Sequence, residues 1–225
     1  MHKIFIGYDK NIDIAYRVLR YSLERHGRRP LDIQPLVLQE IERRHGFKRA
    51  WDPLQSTEFT YTRFLVPYLC DFKGVALFMD NDMLCFSDIS EIFKLDMSDY
   101  WLRVVKHDHK PVETVKLDGK VQTSYPRKNW SSFMLINCEK MRCWSKEAVE
   151  TMPARWLHRF EAVPDDKIGD IPMTWNVLDR YDDTTRLVHY TAGGPWYEQH
   201  KDHPYGAIWF KYRDEYLAQA QAQRP

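Results

Sequence analysis

Short apolar runs alternate along this chain with amphipathic stretches, and their spacing sorts them into strands and helices. Lys3 to Tyr8, KIFIGY, is an apolar run of strand length that meets Asp9. Ala15, Val18, Leu19, Ser22, Leu23 and His26 then recur at helical spacing, with Gly27 as the stop. Asp32 to Leu38 reads as a strand in which Pro35 favours an edge position. Residues 39 to 57 are polar and irregular, with a basic cluster at Arg43, Arg44, Lys48 and Arg49. Glu58 to Cys70 is expected to be an amphipathic helix interrupted near Pro67. Gly74 opens the strand VALFM, Val75 to Met79, and SDISEIF suggests a short helix capped at Ser87 or Asp88. Leu102 to Val105, Ser132 to Ile136 and Leu187 to Tyr190 are further strands. Glu139 to Thr151 and Ala207 to Gln221 are further helices.

This alternation implies an α/β fold with a mostly parallel sheet flanked by helices. No repeat, low-complexity segment or linker breaks it, so residues 1–225 are read as a single domain.

Composition removes several function classes. A formal net charge of +1 gives no general attraction to nucleic acid or to an anionic membrane. No apolar stretch approaches the ~20 residues of a membrane span. The opening MHKIFIGYDK has too short an apolar part for a signal peptide. Cys70, Cys85, Cys138 and Cys143 form no C-x-x-C pair and are read as reduced core residues of a cytoplasmic protein. The content of 8 Trp and 13 Tyr suits clefts for flat or ring-shaped ligands.

The most suggestive stretch is VALFMDNDMLCF, in which a buried-type run ends in Asp80 and Asp82. In open α/β sheets ligands bind beyond the C-terminal ends of strands. Residues two apart on an extended segment share a side, with Cα atoms ~6–7 Å apart, while Asn81 between them points away. Two carboxylates aimed together repel unless a cation joins them, and oxygen ligands suit Mg²⁺ or Mn²⁺. The same three residues are also good turn and cap formers, and spacing alone leaves both readings open.

The segment Thr57 to Phe93, with Arg63 on a helix, the strand VALFM, Asp80-Asn81-Asp82 and then SDISEI, resembles glycosyltransferase family 8. KIFIGYDKNIDIAYRVLRYSL is similar to that family's nucleotide-binding opening. NWSSFMLINCEKMR, IPMTWNVLD and HYTAGGPWY are similar to three later family segments. The matches keep the family's order over about residues 3 to 197. The resemblance implies a GT-A-type, Rossmann-like fold and a metal-dependent retaining glycosyltransferase. It would move a hexose from a nucleotide sugar, expected to be UDP-linked, to a glycan or lipid-linked saccharide acceptor, with Mn²⁺ or Mg²⁺ as cofactor. Neither nucleic acid nor more than peripheral membrane contact is expected.

Carried over residue by residue, the resemblance implies Asp80, Asp82 and His189 as metal ligands. It implies donor contacts from Gly7, Tyr8, Asp9, Arg63, Asn81, Gly193, Gly194 and Trp196. Asn129, Trp130, Ser131 and Ser132 lie where the family presents groups to donor and acceptor sugars. Without the family, Arg63 reads as a surface ion-pair residue and His189 as a structural histidine. The family's lysine before its final Pro-Trp is replaced by Gly194, leaving Lys201, Lys106 and Arg127 as candidate phosphate partners. The family's Asp-Gln near the reacting carbon has Asp165-Asp166 as its nearest match, which makes these two, with Asn129, the catalytic candidates.

Other groups carry weaker signals. His107, Asp108 and His109 have alternating spacing but no third ligand nearby, and suit polar lining of the acceptor cleft better than zinc. Tyr125 to Trp130 mixes basic and aromatic residues and suits a sugar near a diphosphate better than nucleic acid. His200 and His203 read as surface residues. The alternative function is a nucleotide-sugar-binding protein or a nucleotidyltransferase. The segment DKNIDIA after the first strand has no glycine and one lysine, which argues against a triphosphate site.

Overall fold

The computed structural model describes residues 2–53, 55–107 and 127–222. Its main sheet has six strands in the order β2-β1-β3-β6-β5-β7. These are β1 (Lys3–Gly7), β2 (Asp32–Leu36), β3 (Val75–Met79), β5 (Leu102–Val104), β6 (Phe133–Asn137) and β7 (Ile168–Asp170). β1 pairs in parallel with β2 and β3, and β5 in parallel with β7. β6 alone runs the other way, antiparallel to both β3 and β5. The sheet is therefore mostly parallel, as expected.

Both of its faces are covered, which explains why the strands read as continuous apolar runs. Ile4, Ile6, Leu77, Met79, Phe133 and Leu135 pack on one face with Tyr16, Leu19 and Leu23 of α1 (Asp13–His26). Phe5, Ala76, Phe78, Met134 and Ile136 point to the other, against Phe59, Phe64, Trp144, Val149 and Leu157. Val149 lies in α4 (Lys146–Thr151) and Leu157 in α5 (Ala154–His158).

A second sheet of three strands, β4 (Met83–Cys85), β8 (Val177–Leu178) and β9 (Leu187–His189), has β9 in the middle. It packs with α6 (Gly206–Ala222) through Leu84, Val188, Trp209 and Tyr212.

Three elements differ from the sequence reading. The expected irregular stretch after β2 contains α2 (Leu38–His45), with Glu40 in its first turn and Arg43, Arg44 and His45 in its last. These charges match the helix dipole, and Gly46 ends the helix at φ 62°. The expected helix from Glu58 to Cys70 is instead a 3₁₀ turn, Thr62–Leu65, followed by the one-turn α3 (Val66–Leu69). Thr62 to Leu65 are all buried, so there is no polar face for a surface helix to present. The expected helix Glu139 to Thr151 keeps only its second half, because Ser145 accepts from the Ala148 amide and starts α4 there. Among the described residues, no helix is long and apolar enough to cross a membrane.

Candidate active site

The acidic pair follows the C-terminal end of β3, a central strand of the main sheet, and leads into β4 of the second sheet. Asp80 N donates to Ser132 O at 2.9 Å, prolonging the β3–β6 ladder by one residue. Asp82 O accepts from Tyr190 N at 2.9 Å, and β4 then pairs with β9 so that Met83 faces His189. This register puts His189 beside Asp82 although the two are far apart in sequence. Ligand atoms of Asp80, Asp82 and His189 all lie within 4.8 Å of one another, and no other such group occurs among the described residues.

Each member is held by further side chains. Arg63 Nη1 lies 2.8 Å from Asp80 Oδ1 and donates to Ser131 O at 3.0 Å. Its guanidinium also sits 5.2 Å from the Phe59 ring and 5.1 Å from the Phe78 ring. With 6% exposure Arg63 is no surface ion-pair residue; it is a buried cation locked onto the acidic site. His189 Nε2 is 3.0 Å from Asp82 Oδ1, and its Nδ1 is 3.0 Å from Asn176 Oδ1. Because Oδ1 only accepts, Nδ1 carries a proton, which leaves Nε2 to face the carboxylates. Burial opposes charge on this ring, but the Asp82 and Asp80 carboxylates outweigh it and raise its pKa. Asn176 Nδ2 donates to Ser132 Oγ at 2.9 Å, and Ser132 Oγ donates to Asn129 O at 2.6 Å. Asn176 was not among the residues singled out by sequence. Its only signal was its place in the family-like segment IPMTWN.

Arg63, Asp80, Asp82 and His189 line a cleft of about 600 Å³, a size suited to a small-molecule ligand, while Asn176 and Ser132 lie behind its wall. Asp9, Asn81, Asn129, Gly193 and Trp196 line it too. Among the described residues, the cleft wall carries four carboxylates, from Asp9, Glu58, Asp80 and Asp82, against two cations, Lys10 and Arg63. A wider hollow of about 1100 Å³ between Phe86, Trp175, Tyr181 and Arg186 shares no lining residue with it. That hollow contains none of the clustered ligand atoms, so the chemistry belongs to the smaller cleft.

The other expected site residues divide. Asp9 lines the cleft, but its carboxylate is engaged by the amides of Asn11 at 2.9 Å and Glu58 at 3.2 Å. Asn81 is 1% exposed, and its amide N and O have no hydrogen-bond partner among the described residues. Gly193, at φ 112°, needs its glycine for backbone conformation. A Cβ on Gly7 would come within 2.2 Å of the Phe59 ring, and one on Gly194 within 2.0 Å of the Trp196 ring. The close approach each glycine permits is thus to a protein ring. Tyr8 hydroxyl donates to Asp13 at 3.0 Å, outside the cleft wall. Trp130 Nε1 donates to His107 O at 3.1 Å, and Ser131 Oγ lies 3.0 Å from His158 Nδ1; neither side chain lines the cleft.

Asp165 and Asp166 are not brought to the metal-type cluster. Their side chains are 87% and 71% exposed and pair with Arg127 and Lys167. The expected phosphate partners are likewise engaged: Lys106 with Asp170 at 3.2 Å, Arg127 with Asp165, and Lys201 with Glu198. His200, expected at the surface, is 7% exposed. Asp108, His109, Tyr125 and Pro126 lie outside the described residues.

Comparison with known proteins places this architecture. The structure of the galactosyltransferase LgtC in complex with donor and acceptor sugar analogues superposes with a TM-score of 0.61 at 15% identity, over 95% of each chain. The glycosyltransferase GlyE of Streptococcus pneumoniae gives 0.60 at 14% identity, over 97% of this chain and 64% of its own. These likenesses define the GT-A glycosyltransferase fold. The sequence profile of Glycosyl transferase family 8 matches residues 23–181. Protein CDI of Arabidopsis thaliana is 41% identical over 224 residues, covering 95% of this chain and 86% of its own. The chain belongs to glycosyltransferase family 8 and is a glycosyltransferase.

Proposed function

We propose that this protein, working as a single domain, moves a hexose from a UDP-linked sugar to a hydroxyl of a saccharide acceptor, with retention of anomeric configuration. The observation that carries the reading is the convergence of Asp80, Asp82 and His189 at the foot of the cleft. Two carboxylates and an imidazole nitrogen suit Mn²⁺ or Mg²⁺. Among the described residues, the excess of two carboxylates over cations in the wall fits one divalent ion arriving with an anionic donor.

Asp80, Asp82 and His189 would hold that ion, whose charge would offset the charge gathering on the diphosphate as it leaves. Asn176 fixes the His189 tautomer so that Nε2 stays available. Arg63 holds Asp80 and sets the bottom of the donor site. Asn81, buried with an unpartnered amide, and Asn129, whose Nδ2 also lacks a partner among the described residues, are the proposed readers of donor hydroxyls. In the reaction the bond from the sugar's anomeric carbon to the phosphate oxygen breaks and a bond from the acceptor oxygen forms. The acceptor proton passes to the leaving diphosphate on the same face. Retention follows from the family resemblance, and it fits Asp165 and Asp166 being exposed and paired with Arg127 and Lys167.

The test is a hydrolysis screen of nucleotide sugars with Mn²⁺, reading released nucleoside diphosphate. Release from one or more UDP-hexoses is expected. Absence of release from every nucleotide sugar, with Mn²⁺ or Mg²⁺, contradicts the reading.

A further inference from the structure

We propose that Trp51 is the platform on which the pyranose ring of the acceptor saccharide stacks. This rests on the reading of the cleft as a sugar-transfer site. Trp51 is 61% exposed, the largest fraction among the exposed large apolar side chains of the described residues, and it lines the same cleft as Asp80, Asp82 and His189. Met173, Tyr181 and Leu217, the other three, do not line it. Trp51 stacks on no other ring among the described residues.

The exposure is built in, because the chain is tied down on both sides of the indole. Arg49 lies 3.6 Å over the buried Tyr61 ring and donates to the carbonyls of Val149 and Met152. Asp52 accepts from the Tyr61 hydroxyl at 2.6 Å, and its own carbonyl accepts from Gln55 N at 2.8 Å. An indole fixed open at a cleft rim leaves a large apolar face to water, and a ligand that covers it gains that burial.

Placement favours an acceptor over the donor's base. The anchors of Arg49 belong to α4 and its end, and Tyr61 leads through His158, at 6.2 Å, to Ser131 beside β6. Strand β6 adjoins β3 on the side away from β1; it is the far end of the lining segment, at Glu58, that is tied to Asp9 and Lys10 after β1. The donor's diphosphate reaches down to Asp80 and Asp82, so a ring lying on the solvent-facing rim belongs to the molecule that enters afterwards. Carbohydrate chemistry agrees: the C–H face of a pyranose covers an indole, and its rim of hydroxyls needs polar partners. Gln55, Ser56 and Thr57 line the same cleft; Gln55 Nε2 is held by Thr57 O at 2.8 Å and Thr57 Oγ1 by Thr60 Oγ1 at 3.1 Å, which leaves Gln55 Oε1 as an acceptor for a sugar hydroxyl.

The test is saturation-transfer NMR on the full chain with UDP and Mg²⁺, using lactose, maltose and cellobiose as probes. In the unmutated protein, ring protons of at least one disaccharide are saturated. Trp51→Ala lowers that signal at least fivefold, Trp51→Phe restores most of it, and the uracil protons of UDP keep theirs. Sugar saturation that survives Trp51→Ala, or never occurs while UDP is saturated, overturns the proposal. Loss of the uracil signal in Trp51→Ala overturns it in favour of a base platform. Absence of UDP saturation in the unmutated protein overturns the underlying reading of the cleft as well.

Discussion

Arg63 and Asp80 form a buried ion pair at 2.8 Å, with side chains 8% and 13% exposed, and the first metal-type ligand is therefore set by a cation from a different part of the chain. Arg63 is also wedged between Phe59 and Phe78. Its planar fork serves Asp80 and the Ser131 carbonyl together, a geometry that lysine does not reproduce. Arg63→Lys is expected to lower donor turnover at least tenfold, ~1.4 kcal/mol. Arg63→Ala strands a buried carboxylate and is expected to cost about 3–5 kcal/mol of stability in urea unfolding. Unchanged turnover in Arg63→Lys would return Arg63 to a purely structural role.

Asn176 is fully buried and bonds both His189 and Ser132. Asn176→Ala frees the imidazole to turn and loses the link to Ser132. Metal-ligand partners of this kind are worth ~10–100-fold in affinity. We expect Mn²⁺ affinity, read by calorimetry, to fall within that range. Equal affinity in the variant means that Asn176 does not orient His189.

His158 titrates far from its ordinary range. Burial, then the charges of Arg63 and Arg49, push its pKa down to about 3. The unfolded chain takes up this proton below about pH 6.5 and the native chain does not. The stability contribution is therefore complete above pH 6.5 and is lost progressively as pH falls towards 3. The ring is only partly shielded by area, so we expect a loss of about 1–2 kcal/mol at pH 5. Urea unfolding at pH 7.5 and pH 5 should show a steeper loss in the parent than in His158→Gln. His26 and His203, both also lowered by burial, add a slope of the same sign, and His189, raised by Asp82 and Asp80, adds one of the opposite sign; both remain in the variant. Parallel pH profiles for parent and variant would remove His158 from the account.

Gly7 ends β1 where the Phe59 ring fills the space a side chain would take. Gly7→Ala must displace that ring, which also flanks Arg63. Overpacking of this kind costs roughly 1–3 kcal/mol. A lowered midpoint in chemical unfolding, together with reduced turnover, is the expected result. Full stability with normal activity would show that Phe59 moves freely.

The legible parts of this protein were those encoded locally. β3 announced itself because both of its faces are buried, and Asp80 and Asp82 followed because they end that strand. The direction of β6 was not legible, since apolar periodicity is the same for parallel and antiparallel strands. The second sheet was missed because β4 and β8 have three and two residues, too few to show a period. His189 stood out only through the family resemblance, and the β4–β9 register that brings it to Asp82 is a long-range pairing. The same holds for Asn176 and for His158, whose partners lie on other elements. Asp165 and Asp166 illustrate the converse: a motif match in sequence supplied two acids that the fold leaves in solvent beside Arg127 and Lys167.

The central claim, that Asp80, Asp82 and His189 bind a divalent ion together with a nucleoside diphosphate, is tested most directly by calorimetric titration of UDP with and without Mn²⁺. The account predicts that UDP binds at least tenfold more tightly with the metal, ~1.4 kcal/mol or more, and that Asp82→Ala abolishes the difference. Equal UDP affinity with and without Mn²⁺ or Mg²⁺ in the unmutated protein would contradict it.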